Sequence, residues 1–291
     1  MAITATQVKE LREMTGLGMM ACKKALTEAH GDMEKAVEDL RKQGQATAAK
    51  RAGKEAKEGR ISVIVQENDA LVYEVNSETD FVARNEDFLA FANALGALLI
   101  QKKPADMDAA NALTAEAFDG VTVEAKLTDL IGKIGEKITF RRFTLLPIDH
   151  NSQRAYSYIH GNGKIGVVVV LSSDKAAALS QPAAQELGKD LAMQVAAANP
   201  LAVRPEELDA DVIAKEKEIY LTQAQSSGKP EKVWDKIVEG KLAKYYKEVA
   251  LIKQEFIKDT DMSVSDRIKQ TEKELDASLD IVSFVRYELG S

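Results

Sequence analysis

The sequence predicts an α+β fold: a small three-helix N-terminal domain, then a two-subdomain core with antiparallel sheets and an inserted helical hairpin. Three observations predict it. Apolar residues recur at helical spacing through the first forty residues. An order of strand, strand, helix, helix, strand occurs twice after Ile61, and two charge-dense helical segments interrupt its second occurrence. The composition of 45% hydrophobic and 29% charged residues is that of an ordinary globular protein, and few aromatics with much Ala, Lys and Glu favour helix. A chain of 291 residues is long enough for two domains and a sizeable core.

Thr4 and Gln7 have capping-box spacing, and Val8 and Leu11 follow as apolar positions. Gly16 and Gly18 break that helix. Cys22, Ala25, Leu26 and Ala29 mark a second amphipathic face. Gly31 ends it, Asp32 can cap the next helix, and Met33, Ala36, Val37 and Leu40 repeat the spacing. Helices this short bury little surface, so they make a small, marginally stable module of the kind that serves as a binding surface. Residues 41–60 are rich in Lys, Arg, Ala and Gly without an apolar stripe, and read as a basic linker with some helix. A nucleic-acid arm would carry denser charge and interleaved aromatics, so these cations read as solvated charge on a tether.

At Ile61 the period changes. Ile61, Val63 and Val65 alternate, Glu67-Asn68-Asp69 makes a turn, and Leu71, Tyr73 and Val75 alternate again, a hairpin. Phe88, Phe91, Ala92, Leu95 and Leu99 share one helix face. Val123, Leu127, Leu130, Ile131 and Ile134 share another, before the closing strand ITFRRF at 138–143. The order recurs in strands 155–159 and 165–171 about the turn Gly161-Asn162-Gly163, a helix over 181–198, another within 263–277, and the closing strand over 281–287. The closing segments ITFRRF and VSFVRY look alike, which suggests a weak internal repeat. The inserted segments, 211–224 and 231–249, surround the turn Ser226-Ser227-Gly228-Lys229-Pro230. Trp234, Ile237, Val238, Leu242, Tyr245 and Val249 could face Val212, Ile213, Ile219 and Tyr220 along a narrow seam, as in a projecting coiled-coil hairpin. Two ordinary surface helices are the alternative. The expected divisions are 1–42 helical domain, 43–60 linker, 61–148 first core subdomain, and 149–291 second core subdomain with the insertion at about 208–250.

Lys plus Arg number 39 and Asp plus Glu 46, a net charge of -7, which argues against a protein built to coat nucleic acid. Cys22 is the one cysteine, so no internal disulfide can form, and its helix face favours core packing over thiol chemistry. The first residues lack the basic and apolar regions of a secretory signal, and the longest apolar stretch is too short to span a bilayer. A cytosolic protein is expected. His30, His150 and His160 have no metal-site spacing, and neither a phosphate loop nor a G-x-S-x-G elbow occurs. These absences lower the odds of an enzyme and leave no cofactor indicated.

The segment from Glu74 to Arg84, which contains Thr79-Asp80-Phe81-Val82, leaves a strand and enters a helix. On spacing alone, Asp80 or Asn85 is an N-cap and Phe81 and Val82 are core residues. The alternative is a wedge, in which the ring fills a partner's pocket while the carboxylate disturbs a metal or its ligands.

At these residues a resemblance becomes specific. Leu11-Arg12-Glu13-Met14-Thr15-Gly16-Leu17-Gly18-Met19-Met20-Ala21-Cys22-Lys23-Lys24-Ala25-Leu26, the run 74–84, and Tyr158-Ile159-His160-Gly161-Asn162-Gly163-Lys164-Ile165-Gly166-Val167 resemble bacterial elongation factor Ts. Lys133-Ile134-Gly135-Glu136 and Gln225-Ser226-Ser227-Gly228-Lys229-Pro230 fit the same family, in order along nearly the whole chain. The resemblance implies a ubiquitin-associated-like helical domain, a linker, two core subdomains and a coiled-coil hairpin. It also implies guanine-nucleotide exchange on elongation factor Tu, without covalent chemistry, cofactor or metal of its own. The factor would bind the GDP-bound form, disturb its magnesium and phosphate site, and hold the nucleotide-free form until GTP arrives.

By the same resemblance, Thr79, Asp80, Phe81 and Val82 form the corner associated with dislodging magnesium. Phe81 would enter between helices of the partner's nucleotide domain, and Asp80 would position the corner or compete for donors. His160 matches a residue that presses near the phosphate loop, Ile134 and Gly135 match a neighbouring contact, and Lys23 marks where the N-terminal domain rests. Neither direct nucleic-acid binding nor membrane binding is implied, and the complex could be one-to-one or two-to-two. Two departures stand out: Ala21 replaces an acidic residue found in many members, and the sequence stops at Ser291, where some members continue into a further helix.

Overall fold

The computed structural model describes residues 3–291. They divide into two compact units, one of residues 3–62, 73–143 and 289–291, the other of residues 63–72 and 144–288. The fold is a mixture of helices and antiparallel sheet, the α+β class that the periodicities predict.

The chain begins with α1 (Ala5–Thr15), α2 (Met19–Glu28) and α3 (Met33–Arg51). The capping box closes as the spacing predicts: the Thr4 hydroxyl accepts from Gln7 N–H at 3.2 Å, and the Gln7 side chain accepts from Thr4 N–H at 3.0 Å. Gly16 ends α1 in the left-handed region, and the Asp32 carboxylate caps α3 through Lys35 N–H at 3.0 Å. Leu11, Cys22, Leu26 and Ala36 are fully buried at the centre of this cluster. Cys22 is therefore a core residue.

Helix α3 does not stop near Leu40, where its apolar spacing ends, but runs on to Arg51. Apart from Gly44 and Thr47, strong helix formers fill the extension. Gly44 within it lies against Gly132 of a later helix, so closely that a Cβ on Gly132 would sit 2.6 Å from Gly44 Cα. Tertiary packing thus stabilises a segment whose own sequence shows no stripe.

Next come β1 (Glu58–Val65), β2 (Asp69–Ser77), α4 (Asp80–Ala83), α5 (Glu86–Lys102), α6 (Met107–Ala112), α7 (Val123–Ile134) and β3 (Ile138–Pro147). The sheet order is β1-β2-β3. Its middle strand is buried from Ala70 to Ser77 on both faces, so the alternation of Leu71, Tyr73 and Val75 shows one covered face where there are two. Phe88, Phe91, Leu95 and Leu99 of α5 are buried as their spacing predicts, and Phe91 stacks on Phe118 with ring centroids 5.5 Å apart. The short helix α6 is an addition, because six residues carry no usable helical period.

The remaining elements are β4 (Gln153–His160), β5 (Ile165–Ser173), α8 (Pro182–Ala198), α9 (Ala210–Gln225), α10 (Trp234–Val249), β6 (Glu255–Phe256), β7 (Asp259–Ser263), α11 (Val264–Leu275) and β8 (Leu279–Glu288). Here the sheet order is β4-β5-β8, antiparallel throughout, with Tyr158 opposite Val167 and Val168 opposite Val285. Val167, Val169 and Leu171 pack with Leu187, Leu191, Val195 and Ile281 to form the core. The two-residue strand β6 has no period to detect, so the β6–β7 ribbon was not anticipated. Helices α9 and α10 bury Ala224 and Leu242. Val212 and Ile219 are 40% and 48% exposed, so they do not line the seam assigned to them.

Helix α8 crosses β4 at Gly188, where the Tyr156 ring occupies the space a side chain would need. Tyr156 donates its hydroxyl hydrogen to Leu179 O at 2.7 Å, and burial pushes the phenol pKa up to about 12. Gly188→Ala is expected to lower stability by about 2 kcal/mol through overpacking. A reduced urea midpoint at unchanged slope is the expected reading; an unchanged midpoint would contradict it.

Candidate partner-binding site

The end of β2 turns into α4 at Thr79, whose backbone is extended (φ −124°, ψ 156°) and whose hydroxyl oxygen accepts from Val82 N–H at 3.4 Å. Thr79 is therefore the N-cap of this single turn. Asn85 caps α5, accepting from Asp87 N–H at 2.9 Å and Phe88 N–H at 3.4 Å. Asp80 caps neither helix. It lies in the first turn of α4, where a carboxylate suits the helix dipole, and pairs with Arg84 at 3.0 Å on the exposed side.

Spacing alone makes core residues of both Phe81 and Val82. The structure separates them: Val82 is 8% exposed and Phe81 is 82% exposed. Successive residues on a helix point about 100° apart, so in a single turn one can anchor while the next projects. The ring is an apolar surface held in water.

The corner is tied to the turn between α7 and β3. Glu136 accepts from Thr79 N–H at 3.0 Å and from the Thr79 hydroxyl at 2.9 Å. In return, Glu78 accepts from Lys137 N–H at 2.6 Å and pairs with Arg51 of α3 at 3.2 Å. The Lys137 ammonium donates to Ala52 O and Lys54 O, both at 2.8 Å. Gly135 ends α7 with φ 83°, its N–H reaching Ile131 O at 2.8 Å, and this left-handed residue turns the chain so that Glu136 follows at once. Ile134 is partly buried beside it. Thr79 and the Ile134-Gly135 turn are thus brought together, which sequence distance conceals.

Lys23 is exposed on α2, off the face that carries Cys22, Ala25 and Leu26. Near it in sequence, Met14, Met19 and Met20 are 62%, 58% and 75% exposed, an apolar surface that sequence reasoning missed. The available signal was the presence of three methionines within residues 14–20. His160 ends β4 opposite Ile165, is exposed, and has Nδ1 3.0 Å from the Tyr158 hydroxyl. Gly163 N–H and Lys164 N–H both donate to His160 O, closing the turn at 3.2 and 3.0 Å. Glu136 and Glu78, which brace the corner, were not singled out in the sequence, although both stand in motifs that carry the resemblance.

Among the described residues no His, Cys, Asp and Glu side chains are grouped to hold a metal ion. No described helix is long and apolar enough to cross a membrane. An α+β frame that holds a bare aromatic ring on a pinned helical turn has the make-up of a protein-binding factor. A family model described as Elongation factor TS matches residues 78–291. Elongation factor Ts of Clostridium botulinum (47% identical), Clostridium novyi (46%) and Chloroherpeton thalassium (45%) each align with 99% of this chain. The alignments cover 93%, 93% and 98% of those proteins respectively. The chain belongs to the elongation factor Ts family and is a translation elongation factor.

Proposed function

We propose that this chain is the guanine-nucleotide exchange factor of elongation factor Tu, and that the α4 turn is its working tip. The observation that carries the reading is Phe81, a ring 82% exposed on a turn whose neighbour Val82 is buried. A GTPase holds its nucleotide through a phosphate loop and a magnesium ion. Phe81 enters between helices of the partner's nucleotide domain and shifts the elements that hold magnesium. Asp80, paired with Arg84 on the exposed side, positions the turn or competes for donors there. Ile134 and Gly135 add a neighbouring contact, His160 presses near the phosphate loop, and Lys23 sits where the helical domain rests on the partner.

The factor binds the GDP-loaded partner, promotes GDP release and holds the nucleotide-free form until GTP binds. By linkage, the factor and the nucleotide weaken each other equally. Remote contacts offset the cost of distorting the nucleotide site. The chain needs no covalent chemistry and no cofactor for this work, and contacts neither nucleic acid nor membrane. We propose the divisions 1–42, 43–60, 61–148 and 149–291: a ubiquitin-associated-like domain, a connecting segment whose first part is the end of α3, and two core subdomains, the second with a coiled-coil hairpin at about 208–250. That both three-stranded sheets have the hairpin's second strand in the middle supports a repeated β-β-α-α-β unit.

The test is release of fluorescent GDP from purified elongation factor Tu, with and without this protein. Faster release at substoichiometric amounts is expected. Complex formation without acceleration would leave a binding module and overturn the reading.

A further inference from the structure

We propose that Glu136 is a positioning residue for nucleotide exchange: by holding the start of α4 it sets the direction in which Phe81 leaves the protein. The proposal rests on the exchange reading above and deepens it. Helix α4 is four residues long, and closing a single turn fixes several dihedrals for one backbone bond, so such a turn does not sustain itself. The hydroxyl cap on Val82 N–H, at 3.4 Å, is long and weak. A ring 82% exposed has little contact of its own to hold it, so its direction is inherited from the backbone beneath.

The firm anchor at that end is the carboxylate of Glu136. It takes the Thr79 N–H at 3.0 Å, which fixes the backbone, and the Thr79 hydroxyl at 2.9 Å, which fixes the rotamer that aims Oγ1 at Val82. Hydrogen bonds to an ionised acceptor are roughly twice as strong as neutral ones. Glu136 is itself held, because Gly135 ends α7 immediately before it and Lys137 N–H is bonded to Glu78 at 2.6 Å. Two carboxylates therefore grip in opposite directions, Glu136 onto residue 79 and Glu78 onto residue 137. Buried Val82 secures the other side of the turn, so losing Glu136 loosens the turn without emptying the core. A wedge that wanders still binds through remote contacts but reaches the distorting geometry less often.

The test uses the full chain with Glu136→Ala and Glu136→Gln. In the free protein, amide hydrogen exchange over residues 78–84 should quicken by about tenfold in E136A. With elongation factor Tu–GDP, E136A should lower the maximal release rate about tenfold while the half-saturating concentration changes less than about twofold. E136Q should stay within about threefold, because its amide oxygen can accept from Thr79 N–H and its amide N–H can donate to the hydroxyl. The double variant F81A/E136A should be no slower than F81A alone, since Glu136 acts through Phe81. A folded E136A with the wild-type maximal rate, unchanged hydrogen exchange, or additive losses in the double variant would each overturn the proposal. Failure of the unsubstituted chain to speed release would overturn the exchange reading and this proposal with it, and is distinguishable because it needs no substitution.

Discussion

Phe81→Ala leaves the protein folded and reduces its acceleration of GDP release from elongation factor Tu by about thirtyfold, the loss of one strong interfacial anchor. The two halves of this expectation have separate causes. A ring already 82% exposed contributes little to the core, so its removal should change stability by no more than about 0.5 kcal/mol. In a partner's pocket the same ring would be fully desolvated, and truncating such an aromatic anchor costs about 2 kcal/mol or more. Val82→Ala should behave in the opposite way, because that side chain is buried and its loss falls on folding. Stopped-flow release and thermal melting on both variants separate the two outcomes. Unchanged release by folded F81A would remove the wedge role.

Glu74→Ala is expected to cost about 3 kcal/mol of folding stability, as when one partner of a buried ion pair is removed. Glu74 is completely buried in β2. Its carboxylate meets Arg141 Nη1 at 3.1 Å and Arg142 Nε at 2.7 Å, and accepts from Asn76 Nδ2 at 3.0 Å. Deleting it leaves two guanidinium groups side by side near a desolvated site. Their side chains are 38% and 32% exposed, so water reaches them in part and the loss stays near the lower end of the buried-pair range. Asn76 still donates to Glu58 O at 3.2 Å. Chemical denaturation reads the effect directly, and a midpoint equal to that of the unsubstituted protein would show that the pairs contribute nothing net.

The long periodic elements were legible because each has a face. The positions named from spacing in α1, α2 and α5 are buried, although α5 also buries Gly96, Leu98 and Ile100 and, in α3, Met33 and Val37 are only partly covered; the capping box at Thr4 closed as its residues require. Legibility fails where an element is too short to repeat. One turn of helix cannot say which of Phe81 and Val82 faces inward, and a two-residue strand such as β6 cannot alternate. It fails again where a partner is distant: Glu136 and Thr79 are 57 residues apart, and neither residue type announces the other. Helix α3 is the same case on a larger scale, since its continuation past Leu40 depends on a surface supplied by α7. The exposed Val212 and Ile219 show the converse error, because helical spacing identifies a stripe without saying that anything covers it. The resemblance nominated the candidate site. The contacts that hold it became visible only in three dimensions.

The close approach of Gly44 to Gly132 makes α3 a strut between the first helices and α7. A module on a loose tether must search for its contact after the other end has bound, at an effective concentration set by the tether. A module held on a strut is already at its address. If Lys23 and Phe81 both touch one partner, they then act as the two arms of a bivalent ligand of fixed span. Each contact alone can be weak and short-lived, while the pair together gains avidity. Two arms of fixed span hold a partner firmly while both are engaged and let go quickly once either is dislodged.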